Sequence, residues 1–345
     1  MKIRNRLYII VAALFLLLFI CSAASADTAQ GTETQITTSG SAFDPAIYDD
    51  RIVWTDSSGG NFDIYMYDIS TSKETQITTN PFNQQDPGIC GNRVVYIDDR
   101  NGPIVDGHSN FDIYMYDLST SIETQITTNG GNQFAPAIYG DKIVWEDDRN
   151  GNLDIYMYDL STSRETQITT NEGAQSTPAI YGDKIVWLDN RNGNWDIYLY
   201  DLSTSIETQI TTNGETQFTP SIYGDRIIWN DYRSGNWDIY MYNITTSTET
   251  QITTNNYDQY DSAIDGDRII WEDNRNGNRD IYMYNLTTST ETQITTNTYD
   301  QYYSVIYGNR IVWQDNRNEN SDIYMFTIDS AAELTPLDRT NDLKN

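Results

Sequence analysis

Glu165-Thr-Gln-Ile-Thr-Thr170 and the 35 residues after it, through Ser205, hold the fold in one repeat. The hexapeptide alternates polar and β-branched apolar residues, the pattern of a half-exposed strand. A polar loop, Asn171 to Thr177, leads into Pro178-Ala-Ile-Tyr181. Gly182-Asp183 then reads as a two-residue hairpin turn, because Gly tolerates the positive φ such turns need. Lys184-Ile-Val-Trp187-Leu-Asp189 is a second strand, Asn190 to Asn194 a turn, and Asp196-Ile-Tyr-Leu-Tyr-Asp201 a third. Leu202 to Ser205 turns into the next hexapeptide, and no stretch has helical period.

The hexapeptide begins at Glu33, Glu74, Glu123, Glu165, Glu207, Glu249 and Glu291, in steps of 41, 49, 42, 42, 42 and 42 residues. One small sheet per period of this length, repeated seven times, predicts an all-β, seven-bladed β-propeller with four-stranded blades. The Glu33 strand precedes the first inner triplet, so it is expected to complete the seventh blade beside Asp322 to Phe326. Such closure joins the chain ends and removes a sheet edge. Glu333-Leu-Thr-Pro-Leu337 competes for that slot, but Pro336 lacks the N–H a ladder needs. The domain reading is residues 1–26 as an export signal, 27–337 as the propeller and 338–345 as a tail. The seven aromatics Trp54, Tyr96, Trp145, Trp187, Trp229, Trp271 and Trp313 are expected to pack between blades.

The signal reading rests on Lys2, Arg4 and Arg6, an apolar run from Leu7 to Ile20, and Ala24-Ser25-Ala26. The run is short for a membrane span, which takes roughly 20 residues. An uncleaved anchor is the alternative. Cleavage removes three positive charges and takes the formal charge from −29 to −32. With 50 acidic against 21 basic residues, of which five are Lys, no basic patch is expected for nucleic acid or anionic membranes. No membrane insertion is expected after cleavage. Cys90 is the only cysteine after residue 26, so no intrachain disulfide forms.

The unit Pro-x-Ile-Tyr-Gly-Asp-x-Ile-x-Trp-x-Asp, followed by Arg-x-Gly-x-x-Asp-Ile-Tyr, resembles the Tol-type (TolB-like) propeller repeat, a relative of WD40 repeats. It is most similar to repeat proteins on the surface of methane-producing archaea. The resemblance covers Glu33 to about Phe326. It implies a periplasmic or surface propeller serving as a scaffold, a protein-binding platform or, less often, a polysaccharide lyase. A helical N-terminal domain like that of the bacterial Tol protein is not expected in these residues, which argues against a role in that system.

Strand direction places the inter-blade loops and the Asp-Asn-Arg-Asn-Gly-Asn loops on one face, where any site is expected. A Gln recurs in the inter-blade loop (Gln84, Gln133, Gln175, Gln217, Gln259, Gln301), followed by Gln85, Phe134, Ser176, Phe218, Tyr260 and Tyr302. Phe43 takes the second place in the first repeat, and Tyr257, Tyr299 and Tyr303 add aromatics in the last two. Amide beside aromatic suits a sugar or peptide over the channel mouth. The alternative is that Gln satisfies loop backbone and the aromatics cap the core. Trp195 and Trp237, in adjacent blades, are candidate platforms for a glycan, with local hairpin packing as the other reading.

Asp98/Arg100, Asp147/Arg149, Asp189/Arg191, Asp231/Arg233, Asp273/Arg275 and Asp315/Arg317 repeat as pairs, while the first repeat has Asp56 with Ser58. They read as structural ion pairs. A further Asp opens each third strand: Asp63, Asp112, Asp154, Asp196, Asp238, Asp280 and Asp322. No cofactor is expected. Calcium at the oxygen-rich Asp189 to Asp196 loop is the one metal alternative, although Arg191 and Gly193 depart from the familiar calcium loop.

His108, in a seven-residue insertion, is the only His, which excludes His-based metal clusters and Ser-His-Asp triads. No Gly-x-Ser-x-Gly elbow occurs. Asn243-Ile-Thr245 and Asn285-Leu-Thr287 are glycosylation sequons on the opposite face. The reading is therefore an exported, non-catalytic surface module for a glycan or a surface protein. The alternative is a polysaccharide-active enzyme using Asp carboxylates, with or without calcium.

Overall fold

A computed structural model describes residues 27–102, 110–317 and 320–329. The expected signal, the tail, the Glu333–Leu337 segment and His108 lie outside the described residues. Seven antiparallel sheets form a closed ring. Blade four is Gln175–Tyr181, Lys184–Asp189, Asp196–Asp201 and Ile206–Gln209, ordered from axis to rim. The other blades repeat this arrangement.

Each of the seven blade interfaces holds one apolar cluster. Val95, Ile97 and Ile113 of blade two, for example, meet Ile143, Trp145 and Tyr156 of blade three. The seven second-strand aromatics have no exposed surface, as the sequence pattern requires. Burying a ring of this size removes roughly 150–250 Å² from water, about 4–6 kcal/mol before entropic costs.

Blades are also clasped at the turn face. The first residue of each second strand reaches the hairpin turn of the next blade. Arg93 Nη1 donates to Gly140 O at 2.9 Å and Asp141 Oδ1 at 2.6 Å, and Arg226 repeats the pattern with Gly266 and Asp267. Arg310 closes the circle on Asp50 of blade one at 2.7 Å.

The ring closes through the N-terminus. Gly31–Gln35 pairs antiparallel with Asp322–Ile328, Gly31 opposite Ile328 and Gln35 opposite Tyr324. Gly31 is required there, since a Cβ would lie 2.3 Å from Thr327 O and 2.5 Å from the Phe326 ring. One feature departs from the expected four strands. Asp27–Thr28 adds a parallel fifth strand to the rim of blade six, beside Thr292 and Gln293. Two residues are too few to carry an alternation that sequence reading can detect.

Candidate functional site

The loop face is built from side chains that hold one blade's hairpin against the next inter-blade loop. Asn194 Nδ2 donates to Asn213 O and Glu215 O at 3.3 and 3.0 Å, and Asn236 and Asn278 do the same one and two blades on. The recurrent Gln belongs to this framework. Gln84, Gln133, Gln175, Gln217, Gln259 and Gln301 have no exposed surface. Gln217 Nε2 donates to Asn213 Oδ1 at 3.1 Å and Glu215 O at 2.6 Å; Gln84, Gln133, Gln259 and Gln301 repeat both contacts in their own loops, and Gln175 keeps the one to Gly173 O. These amides are buried beneath the loops they brace, although Gln84, Gln133, Gln175 and Gln259 leave Oε1 without a hydrogen-bond partner.

The Asp–Arg pairs are three-part clips. Arg149 Nη2 meets Asp147 Oδ2 at 2.6 Å, and its Nη1 meets Glu165 Oε1 on the rim strand at 2.5 Å. Its guanidinium lies 4.1 Å from the centroid of Tyr156 on the strand between. Arg100, Arg191, Arg233, Arg275 and Arg317 repeat the clip with Glu123, Glu207, Glu249, Glu291 and Glu33. Asp189, Asp231, Asp273 and Asp315 are fully buried beneath their Arg partners, and Trp187, Trp229, Trp271 and Trp313 donate Nε1 to them. Carboxylates on both sides push every one of these guanidinium groups to higher pKa, against the opposing effect of burial. The Glu of the hexapeptide is the member that sequence reading missed.

The oxygens of the Asp189 to Asp196 loop are engaged in the same framework. Asn192 bridges Asp196 and the Tyr198 hydroxyl at 3.3 and 2.9 Å. Gln209 and Thr211 also donate to Asp196, at 3.1 and 3.2 Å. Among the described residues, no group of three or more His, Cys, Asp or Glu side chains is placed to hold a metal ion.

What varies between blades is the aromatic content of this face. Phe218, 40 % exposed, and the exposed Tyr232 both pack on Trp237, with centroids at 5.3 and 5.0 Å. Tyr257, Tyr299 and Tyr303 are exposed. Tyr260 and Tyr302 are half-buried, and each hydroxyl donates to Asp258 or Asp300 at 2.9 Å. Between them sits Arg279, 4.7 and 5.1 Å from the two ring centroids, anchored to Glu272 Oε2 at 2.9 Å. These residues make an aromatic arc over blades five to seven. Trp195 stands apart: half-buried, it packs against the Val186–Trp229 cluster and has no ring contact with Trp237. Phe134 is likewise half-buried, 5.8 Å from Phe111, and Phe43 meets Phe62 edge-on at 5.4 Å.

The innermost strands carry a second feature with no counterpart in the sequence reading. Every innermost strand has a register shift two residues after its first, as between Ser176 and Ala179. The residue in the bulge has positive φ in all seven blades: Asp44, Asp86, Ala135, Thr177, Thr219, Asp261 and Tyr303, at 45–54°. Non-glycine residues are uncommon there, and bulges re-aim side chains next to sites. In blades three and six the residue after the buried aromatic is a Glu that reaches the bulge of the next blade. Glu146 Oε1 accepts from Thr177 N at 2.6 Å, and Glu272 Oε1 accepts from Tyr303 N at 2.6 Å.

Five acids thus gather on the innermost strands and the strands behind them. Burial pushes Asp44 up to about 6, with a further contribution from Asp86. Burial raises Asp86 and Asp261 as well, and it raises Glu146 with help from Asp86. Glu272 rises to about 8, through burial first and Asp261 second, against the pull of Arg279. The sequence signal was there: this column mixes Asp, Ala, Thr and Tyr, where the neighbouring column is Gln in every blade but the first, which has Ala42.

Residues 106–264 match the family model of the TolB beta propeller domain. No curated protein sequence matches the chain. Among solved structures, the fold resembles an oligogalacturonate lyase from Vibrio parahaemolyticus, at 12 % identity and TM-score 0.67, covering 90 % of this chain and 97 % of the other. It also resembles the β-propeller domain of the Trilobed protease from Pyrococcus furiosus, at 14 % identity and TM-score 0.66, with 83 % and 95 % covered. TolB from Acinetobacter baumannii follows at 18 % identity and TM-score 0.53, with 73 % and 65 % covered. The Pyrococcus domain is described as having an open velcro topology, whereas Gly31–Gln35 closes the ring here. The chain is thus a seven-bladed β-propeller whose residues 106–264 are similar to the TolB beta propeller domain.

Proposed function

We propose that this chain is an exported, non-catalytic binding module that holds a glycan over the loop face of blades five to seven. The observation that carries the reading is the asymmetric aromatic arc of Phe218, Tyr232, Trp237, Tyr257, Tyr299 and Tyr303 on an otherwise repetitive scaffold. Exposed rings are costly in water, and flat apolar faces beside Asp and Tyr hydroxyls match the alternating apolar and hydroxylated surfaces of a sugar. Abundant acid favours a neutral or cationic glycan over a polyuronate. Export rests on the N-terminal sequence pattern, and no helix among the described residues is long and apolar enough to cross a membrane.

The test is a glycan-array screen of residues 27–345, with and without calcium. Binding that Phe218→Ala/Trp237→Ala removes, with unchanged thermal melting, supports the reading. Silence across the array sinks it in favour of a surface-protein ligand.

One observation favours a polysaccharide-active enzyme as the second reading. Glycoside chemistry needs a carboxyl that holds its proton near neutral pH, and burial raises Asp44, Asp86, Glu146, Asp261 and Glu272, Asp44 to about 6 and Glu272 to about 8. Turnover of an array-positive glycan that Asp86→Asn abolishes would establish it.

A further inference from the structure

The third strand of blades one to four ends on an Asp that caps the following turn. Asp117 Oδ1 accepts from Ser119 N at 2.8 Å and Thr120 N at 3.1 Å, and Asp68, Asp159 and Asp201 act alike. One oxygen does this work. Blades five and six place Asn243 and Asn285 in the same slot and keep the cap. Asn243 Oδ1 accepts from Thr246 N and Oγ1 at 2.9 and 3.0 Å, and Asn285 Oδ1 from Thr287 N and Thr288 N at 2.9 and 3.1 Å.

The hydrogen bonds of both residues run through Oδ1, so the second carboxylate oxygen has been exchanged for an amide nitrogen outside the cap. In the same two blades, the residue two places on changes from Ser to Thr. The Thr245 and Thr287 hydroxyls donate to Asp225 and Asp267 at 2.6 and 2.7 Å on exposed turns. The sequence contains no other Asn-x-Ser/Thr.

We propose that Asn243 and Asn285 are N-glycosylation sites that decorate the turn face. The co-reactant is a lipid-linked oligosaccharide presented by an oligosaccharyltransferase. Nδ2 attacks the anomeric carbon and a C–N bond forms. The bond from that carbon to the lipid phosphate oxygen breaks, the phosphate leaves with the electron pair, and one amide proton passes to a base. No oxidant or reductant is involved. The cap survives because Oδ1 remains a carbonyl. The glycans project from the face opposite the aromatic arc, so they leave that surface open.

The folded chain (residues 27–345) is incubated with a purified oligosaccharyltransferase and a lipid-linked oligosaccharide, and is separately secreted from yeast. Enzymatic deglycosylation in ¹⁸O water then marks each modified Asn as a labelled Asp in peptide mass spectra. Label at both positions is expected, with one glycan lost in each of Asn243→Gln, Asn285→Gln and Thr245→Ala. Asn243→Asp keeps the oxygen cap and the melting temperature while losing the glycan, which separates modification from turn stability. Absence of glycan from both positions in both preparations overturns the proposal.

Discussion

Arg317 Nη1 and Glu33 Oε1 lie 2.5 Å apart although 284 residues separate them, and the pair fastens the two ends of the propeller. The same Arg holds Asp315, which has no exposed surface, and stacks on Tyr324 at 3.9 Å. Removing the two partners should therefore have unequal consequences. Arg317→Ala leaves a buried carboxylate without its cation and is expected to cost about 2–3 kcal/mol. Glu33→Gln removes the exposed half of the clip and is expected to cost less than about 1 kcal/mol. Denaturant melts of both variants and of the double variant check this. Equal losses would show that Asp315 does not depend on Arg317.

Blade one lacks this clip, and that absence can be repaired. Ser58 occupies the Arg position, and its N–H donates to Asp56 Oδ1 at 2.8 Å, as the Arg191 N–H does to Asp189 at 2.9 Å. Burial and Asp56 push Glu74 above its usual range, with no Arg to offset them. Ser58→Arg is expected to bridge Asp56 and Glu74 across Tyr65, raise stability by about 1 kcal/mol at pH 7, and return Glu74 to the ordinary range. The gain should shrink as pH falls and Glu74 takes up its proton, and should vanish only at more acid pH, because, against burial, hydrogen bonds from Ser39, Ser58 and Ser41 hold Asp56 below its usual range. Thermal melts at pH 3.5 and 7 provide the check.

How far the sequence carried the reading follows from how each feature is encoded. Strands, turns and the inter-blade Trp positions lie in local patterns of two to six residues, repeated seven times. The Asp147/Arg149 type of pair was legible because its members are two residues apart. Glu165 was not, because it meets Arg149 only once blade register brings the rim strand within reach. The Gln column was expected at the channel mouth and is buried. Two residues beyond it, the bulge breaks the alternation on which facing arguments rest, and the acids Asp44, Asp86 and Asp261 escaped notice for the same reason.

The raised acids give the fold a pH dependence with a definite sign. Asp44 titrates near 6 and Glu272 near 8 in the folded chain, against roughly 4 when unfolded. Between those values the folded state binds more protons than the unfolded one, so stability falls as pH rises. The slope is at most about 1.4 kcal/mol per pH unit for each group. Melting temperature is expected to drop from pH 4.5 towards 8. Asp44→Asn should flatten the lower part of that window, and Glu272→Gln the part above 6. A profile that both variants leave unchanged would remove these two groups as its source.

Arg279 gives the aromatic arc its most specific test. Its guanidinium separates Tyr260 from Tyr302 and is tethered to Glu272, so it fixes the spacing of two rings that contribute apolar surface to the proposed glycan site. Arg279→Ala would let the rings approach each other and would leave Glu272 without its cation, which favours the protonated acid. The fold should persist, because blade seven has Ser321 at the corresponding position and still closes. Glycan affinity is expected to fall about tenfold, or roughly 1.4 kcal/mol. Arg279→Lys should recover only part of it, since an ammonium lacks the planar face that stacks between two rings. Titration calorimetry with an array-positive glycan measures both variants. Full affinity in Arg279→Ala would place the ligand on Phe218, Tyr232 and Trp237 alone and exclude blade seven from the site.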